Sequence, residues 1–198
     1  MLKRICKITF ISHGATIYSK AGIINDNLKH SKLSDLGEEE IKHVCQYLKN
    51  RGVSYDKIYS SPNACCVQTS DIVAKLFKQK NITIDLPSRN HGVWQGAAYA
   101  DLISEFGIKI FAENPEGGES LKDFNKRVSG VIKKLVKENK GNRIIVVTTP
   151  EIIQSALAKT LNLTPQNQYK MLIKTGTLTQ ISYFDKWSSV IYSDYLPL

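Results

Sequence analysis

Four short stretches hold the residue types that could do chemistry. Ser12-His13-Gly14 follows a β-type run, and Ser60-Ser61-Pro62 leads into Cys65 and Cys66. Ser88 to Gly96 carries Arg89 and His91, and Thr148-Thr149-Pro150 follows a second β-type run. A histidine at a strand end could be a nucleophile, a metal ligand or a hydrogen-bonded strand terminus, because imidazole changes charge near neutrality. Cysteines at a helix start sit at the positive end of the helix dipole, which favours thiolate. Were Cys65 to face His13, the pair could support thiol chemistry or bind a soft metal. The plainer alternative is two small residues filling space. Arg89 could meet an anionic ligand at a pocket rim or lie solvated in its loop. His30, His43 and His91 lack the i, i+4 spacing of a helical metal pair, and the four cysteines lack C-x-x-C spacing, so neither a metal nor a cofactor is expected.

The elements that must position these residues follow from hydrophobic period. Ile5 to Ile11 reads as a strand ending at a tight turn. Residues 34 to 51 place Ile41, Val44, Cys45 and Leu48 at helical spacing, with Asp35 and Glu38 in the first turn and Gly52 as the stop. Lys57 to Ser60 is a short strand, and Pro62 is expected in the first turn of a helix running to about Lys78. Ile82 to Leu86 alternates like a strand. A loop, a short helix over 99 to 106 and a second loop over 107 to 118 come next. A long helix from Ser120 carries Leu121, Phe124, Val128, Val131, Ile132 and Leu135 on one face. Arg143 to Thr148 is the continuous β-branched run of a strand buried on both faces. Pro150 opens a helix to about Leu161, and Leu178 to Tyr183 and Ser189 to Tyr192 read as two last strands. Strands alternating with helices predict one α/β domain over residues 1–198, a three-layer α/β/α sandwich with a mostly parallel sheet. Ligands of such sheets bind beyond the carboxyl ends of the strands, where all four stretches fall.

Composition limits the partners. The chain of 198 residues has 42% hydrophobic and 23% charged residues, which is ordinary for a globular protein. Its longest aliphatic run, Ile144 to Val147, is too short for a transmembrane helix, and the N-terminus lacks a secretory pattern. A cytoplasmic protein with reduced thiols and no membrane partner is expected. Lys and Arg number 27 against 18 Asp and Glu, a net +9. Such a charge suits either an anionic partner or a soluble basic surface. Most of it falls between Leu121 and Arg143, where eight Lys and Arg oppose only Asp123 and Glu138. That run has no interleaved aromatics for base stacking, which argues against nucleic acid. Tyr183, Trp187, Tyr192 and Tyr195 read as edge-strand residues or a homodimer contact.

The order of motifs carries a resemblance. Ile11-Ser12-His13-Gly14-Ala15-Thr16 is similar to the opening Arg-His-Gly motif of the histidine phosphatase superfamily, which includes the cofactor-dependent phosphoglycerate mutases. Leu33-Ser34-Asp35-Leu36-Gly37 resembles its Leu-Thr-x-x-Gly helix start. Ser60-Ser61-Pro62 through Gln68-Thr69 resembles its Ser-Ser-Pro-x-x-Arg-Ala-x-Gln-Thr segment. Gly92-Val93-Trp94-Gln95-Gly96 resembles its Gly-x-Trp-Glu-Gly. Pro115-Glu116-Gly117-Gly118-Glu119-Ser120, with Phe124 and Arg127, resembles its Pro-x-Gly-Glu-Ser helix entry. The resemblance spans residues 5 to about 184. It implies a phosphoglycerate-mutase-like fold in which His13 holds the nucleophile position for a phosphohistidine intermediate.

Position by position, the resemblance also implies what has changed. The family's two phosphate-binding Arg positions hold Ser12 and Cys65, its acid position Ser88, and its second His position Thr149, followed by Pro150. Ser12, Gly14, Cys65, Ser88, Arg89 and Thr149 would then line the pocket around His13. Loss of one preorganised donor lowers a rate by about 10²–10³. A hydroxyl and a thiol cannot replace two guanidinium clamps. The expectation is a protein that has lost phosphohistidine chemistry and binds a small anionic ligand or a partner. The alternatives are an active phosphatase or phosphomutase using phospho-His13, and an interaction module using the basic helix.

Overall fold

The computed structural model describes residues 4–25 and 31–197. His30 therefore lies outside the described residues. One six-stranded sheet takes strands from both ends of the chain, in the order β3-β2-β4-β1-β5-β6. β1 (Arg4–Ser12) pairs in parallel with β4 (Arg143–Thr148), which pairs in parallel with β2 (Lys57–Ser60), and β2 with β3 (Asn81–Thr83). β5 (Leu178–Phe184) runs antiparallel to β1, and β6 (Ser188–Tyr195) antiparallel to β5.

The β-branched run of β4 divides its side chains between two layers. Ile144 and Val146 join Ile8 and Phe10 of β1 on one face, against α5 (Leu121–Glu138) and α6 (Pro150–Leu161). Ile145 and Val147 join Ile11 and Ile58 on the other, against α2 (Asp35–Asn50) and α3 (Ala64–Phe77). A central strand must be apolar on both faces, and this one is. Helix α5 buries the predicted stripe of Leu121, Phe124, Val128, Ile132 and Leu135. Its lysines face solvent on the opposite side. A third, smaller cluster of Ile24, Leu102, Ile110 and Phe111 gathers the segment between β3 and α5 around α4 (Tyr99–Phe106).

Several boundaries differ from expectation. Pro62 precedes the helix rather than opening it, because Asn63 takes the N-cap position and α3 starts at Ala64. The third strand lies at 81–83, since parallel pairing to β2 ends at Thr83 and the chain then turns between Ile84 and Leu86. The expected loop at 107–118 contains a 3₁₀ turn over Ile108–Ala112. Two helices are too short to show a period: α1 (Ile17–Ala21), held by a capping box between Thr16 and Ser19, and α7 (Pro165–Gln168). Among the described residues, no helix is long and apolar enough to cross a membrane.

Candidate functional site

β1 delivers His13 to the carboxyl edge of the parallel strands, and the surrounding backbone fixes it there. The His13 N–H donates to the Thr148 carbonyl at 3.1 Å, and its own carbonyl accepts from Gly176 N–H at 3.0 Å. The next residues are anchored to two helices. Gly14 N–H donates to Thr69 Oγ1 of α3 at 3.2 Å, and Ala15 N–H donates to Glu40 Oε2 of α2 at 2.8 Å. The His13 side chain is only 7% exposed. Its Nδ1 lies 2.8 Å from the Gly14 carbonyl oxygen. A carbonyl can only accept, so Nδ1 carries a proton and Nε2 is the nitrogen left to act as a base.

Cys65, in the first turn of α3, supplies the partner. It is 2% exposed and near enough to the His13 imidazole for each group to shift the other's protonation. The thiol is pulled down to about 4 by a hydrogen bond from Cys66, against the opposing cost of burial, and by the charge and hydrogen bond of His13 with a further bond from Ser31. Burial disfavours charge on His13, but Cys65, the Gly14 carbonyl and the Glu40 carboxylate outweigh it and raise its pKa. The pair thus favours a thiolate on Cys65 and makes His13 hold a proton more readily than a free imidazole. Cys66 is pushed well above the usual thiol range, by burial first and then by the Cys65 sulfur. Cys6 and Cys45 rise to about 11, both chiefly through burial.

The other expected site residues flank this pair or depart from it. Ser12 ends β1 opposite Thr148, and its buried Oγ has no hydrogen-bond partner among the described residues. Thr149 is the N-cap residue of α6, yet its Oγ1 makes no capping bond and has no partner among the described residues. Ser88 accepts from Asn63 Nδ2 at 3.0 Å, which ties it to the start of α3. Arg89 is neither at a rim nor solvated. It is 0% exposed, and its guanidinium donates to the carbonyls of Glu119 (3.0 Å), Phe111 (2.8 Å) and Glu113 (2.7 Å) and to Tyr169 Oη (3.1 Å). Arg127 forks onto the Glu119 carboxylate at 2.8 and 2.7 Å and also reaches the Pro87 carbonyl. Both guanidinium groups hold framework.

Sequence reasoning passed over Glu151 and Tyr169. Glu151 lies in the first turn of α6, where a carboxylate reads as a routine partner of the helix dipole. It pairs with His91 Nε2 at 3.5 Å and Arg89 Nη1 at 3.8 Å, and accepts a hydrogen bond from Tyr169. Burial alone would raise its pKa, but His91, Tyr169 and Arg89 hold it below the usual carboxylate value. Among the described residues, no group of three or more His, Cys, Asp or Glu is placed to hold a metal.

The Cys65–His13 pair makes stability depend on acid. The depressed thiol contributes stability above its unfolded value of 9.0, and this is lost as pH falls towards about 4. The raised imidazole contributes fully below its unfolded value of 6.5. Between about 6.5 and 4 the unfolded chain thus carries one proton more than the folded pair. Stability should fall there by up to about 1.4 kcal/mol per pH unit. Urea unfolding across that window checks this, with Cys65→Ser expected to flatten the slope. An unchanged slope in the variant would remove the pair from the account.

The fold has counterparts among known proteins. A broad-specificity phosphatase of Saccharomyces cerevisiae is 27% identical over 191 residues, covering 90% of this chain and 80% of the relative. Phosphoglycerate mutase-like protein 4 of Arabidopsis thaliana is 29% identical over 199 residues, covering 95% and 85%. A crystal structure of phosphoserine phosphatase from Entamoeba histolytica, in complex with 3-phosphoglyceric acid, superposes with a TM-score of 0.84 at 20% identity, covering 96% of each chain. A mycobacterial glucosyl-3-phosphoglycerate phosphatase superposes with a TM-score of 0.83 at 20% identity, covering 96% of this chain and 99% of the other. At such identities the two structures share the fold. The family described as "Histidine phosphatase superfamily (branch 1)" matches residues 8–192, nearly the whole sheet and every motif around His13, and the chain belongs to that superfamily.

Proposed function

We propose that the chain keeps the histidine-phosphatase fold without its phosphohistidine chemistry, and acts by binding a ligand or a partner at the carboxyl edge of its sheet. The contact between His13 and Cys65 carries this reading. A histidine biased towards its protonated form has less of the Nε2 lone pair with which to attack phosphorus. A thiolate beside it repels the phosphoryl dianion that the site would have to neutralise. Arg89 and Arg127 supply no compensation, because their guanidinium groups are engaged with carbonyls and with Glu119. Ser12 and Thr149 offer hydroxyls, which can orient an oxygen but cannot balance two negative charges.

The relatives named as phosphatases and mutases make the opposite outcome worth measuring. The test is hydrolysis of p-nitrophenyl phosphate by the wild type and by His13→Ala. The expected result is no difference between them above the uncatalysed rate, and no phosphate retained on histidine. Loss of several stabilising groups at about 10²–10³ each leaves little to detect. Turnover that disappears in His13→Ala would overturn the reading and restore phospho-His13 as an intermediate.

A further inference from the structure

We propose that a cleft at the amino ends of the parallel strands binds a phosphate group, either the free ion or the end of a small phosphomonoester. The site is separate from the His13 edge and does not rest on the ligand-binding reading above. Lys7 precedes Ser12 by roughly 16 Å along β1. It faces Arg143 across the parallel pair of β1 and β4. Strand alternation puts both side chains on the α2 side of the sheet, the side of Ile11 and Ile145. Tyr47 in the last turns of α2, then Arg51 and Tyr55 just after it, line the cleft from above, and Gln180 of β5 and Tyr192 of β6 line it from the sheet.

The cleft collects positive charge that its own walls do not balance. Lys7, Arg51 and Arg143 all line it, and no Asp or Glu does. Among the described residues, none of these three side chains forms an ion pair. Asp56, next in the chain after Tyr55, spends a carboxylate oxygen on the Arg143 N–H at 2.8 Å. Like charges facing each other across neighbouring strands repel. Lys7 feels this: its pKa is lowered by burial first and then by the charges of Arg4 and Arg143. The dipole of α2 accounts for Arg51 at its C-cap, but not for Lys7 and Arg143 at strand starts. Arg51 lies over the Tyr47 ring, 5.8 Å from its centroid, and a stacked guanidinium keeps its N–H edge for an acceptor.

A buried chain of hydrogen bonds adds a neutral donor. Gln180 Nε2 donates to Thr9 Oγ1 at 2.9 Å, and Thr9 Oγ1 donates to Tyr55 Oη at 3.3 Å. Gln79 donates to the Tyr55 carbonyl and holds that residue in place. Tyr55 is 5% exposed, and among the described residues its phenol proton has no acceptor. Size and charge then select the ligand. The cleft offers about 70 Å³. At about 10–15 Å³ for each water-sized atom, it holds roughly five to seven of them. A phosphate group is four oxygens around one phosphorus and carries about −1.5 to −2 near neutrality. A carboxylate would bring a single charge to three cations and fill only part of the space.

The experiment titrates the whole chain by calorimetry with inorganic phosphate and with glycerol 2-phosphate, at an ionic strength held constant with sodium chloride. Binding to the wild type is expected to saturate. Arg143→Gln and Lys7→Gln should each weaken it at least about tenfold, the loss of one charge-assisted hydrogen bond. Tyr55→Phe should weaken it about three- to tenfold, which a diffuse patch of charge would not show. His13→Ala should bind phosphate as the wild type does, which separates this cleft from the other edge of the sheet. Thermal unfolding guards against misfolded variants. Without phosphate, Lys7→Gln and Arg143→Gln should melt at or above the wild-type temperature, because a repulsion is gone. Phosphate should raise the midpoint of the wild type more than theirs. Tighter binding of glycerol 2-phosphate would identify the ligand as a phosphomonoester, and tighter binding of inorganic phosphate as the free ion; both uphold the proposal. No saturable binding of either, binding lost in His13→Ala, or binding unchanged in Arg143→Gln or Tyr55→Phe would each overturn it.

Discussion

Replacing Arg89 by Met is expected to lower the unfolding free energy by about 3–5 kcal/mol, a large part of the stability of a domain this size. Met fills much of the same volume, so the effect isolates the guanidinium rather than a cavity. Three backbone carbonyls, of Phe111, Glu113 and Glu119, would lose the donor that the buried guanidinium supplies, the first of them in the interior. Each unsatisfied buried group costs about 1–3 kcal/mol. Glu151 would also lose the guanidinium beside it while remaining largely buried. Arg89→Lys should recover only part of the loss, because one ammonium cannot reach three carbonyls set in a fork. Chemical unfolding of both variants, followed by circular dichroism, checks the order Met worse than Lys worse than wild type. A loss below about 1 kcal/mol for Arg89→Met would mean that water replaces the guanidinium, and that the segment from Phe111 to Glu119 is held by something else.

The fate of Arg89 shows where the sequence stops being readable. A single arginine in a loop has no period, and its partners lie 22 to 80 residues away. Nothing local distinguishes a residue meeting solvent, a phosphate or three carbonyls. The same distance separates His13 from Cys65, since one ends β1 and the other opens α3. That they face each other follows from the parallel pairing of β1, β4 and β2, which brings both strand ends to one edge. By contrast, the two-faced burial of Ile144 to Val147 and the stripe of α5 were legible, because period and β-branching report burial directly. The sequence motifs predicted the positions around His13. They could not tell which neighbouring charges would reach it, and those charges decide the chemistry. With guanidinium near a histidine the site would suit a dianion. With a thiolate in that place, the ligand-binding reading proposed above follows instead.

Gly37→Ala is expected to destabilise the protein by about 2–3 kcal/mol, although the same change in an open helix is favourable by up to about 1 kcal/mol. The reversal comes from a backbone-to-backbone approach. A Cβ on Gly37 would stand 2.1 Å from the Ala15 carbonyl oxygen, and one on Gly14 would stand 2.3 Å from the Gly37 carbonyl oxygen. No rotamer relieves such contacts, since both sides are main chain. The two segments are also bonded there, with Ser34 N–H and Ser34 Oγ both donating to the Ala15 carbonyl at 2.9 Å. This gives the spacing of Ser-His-Gly and Leu-Ser-x-x-Gly a mechanical meaning: the two glycines let α2 seat the loop that aims His13. Moving that loop should separate His13 from Cys65, so Gly37→Ala should weaken the acid dependence of stability as well as stability itself. Gly130→Ala is the control. It lies in α5, a Cβ there would meet nothing within 4 Å, and it should gain up to about 1 kcal/mol. Opposite signs in paired unfolding curves would establish the approach as the constraint. Equal signs would mean that the loop yields, and that His13 is seated by its bonds to Thr148 and Gly176 with those of the loop to Thr69 and Glu40.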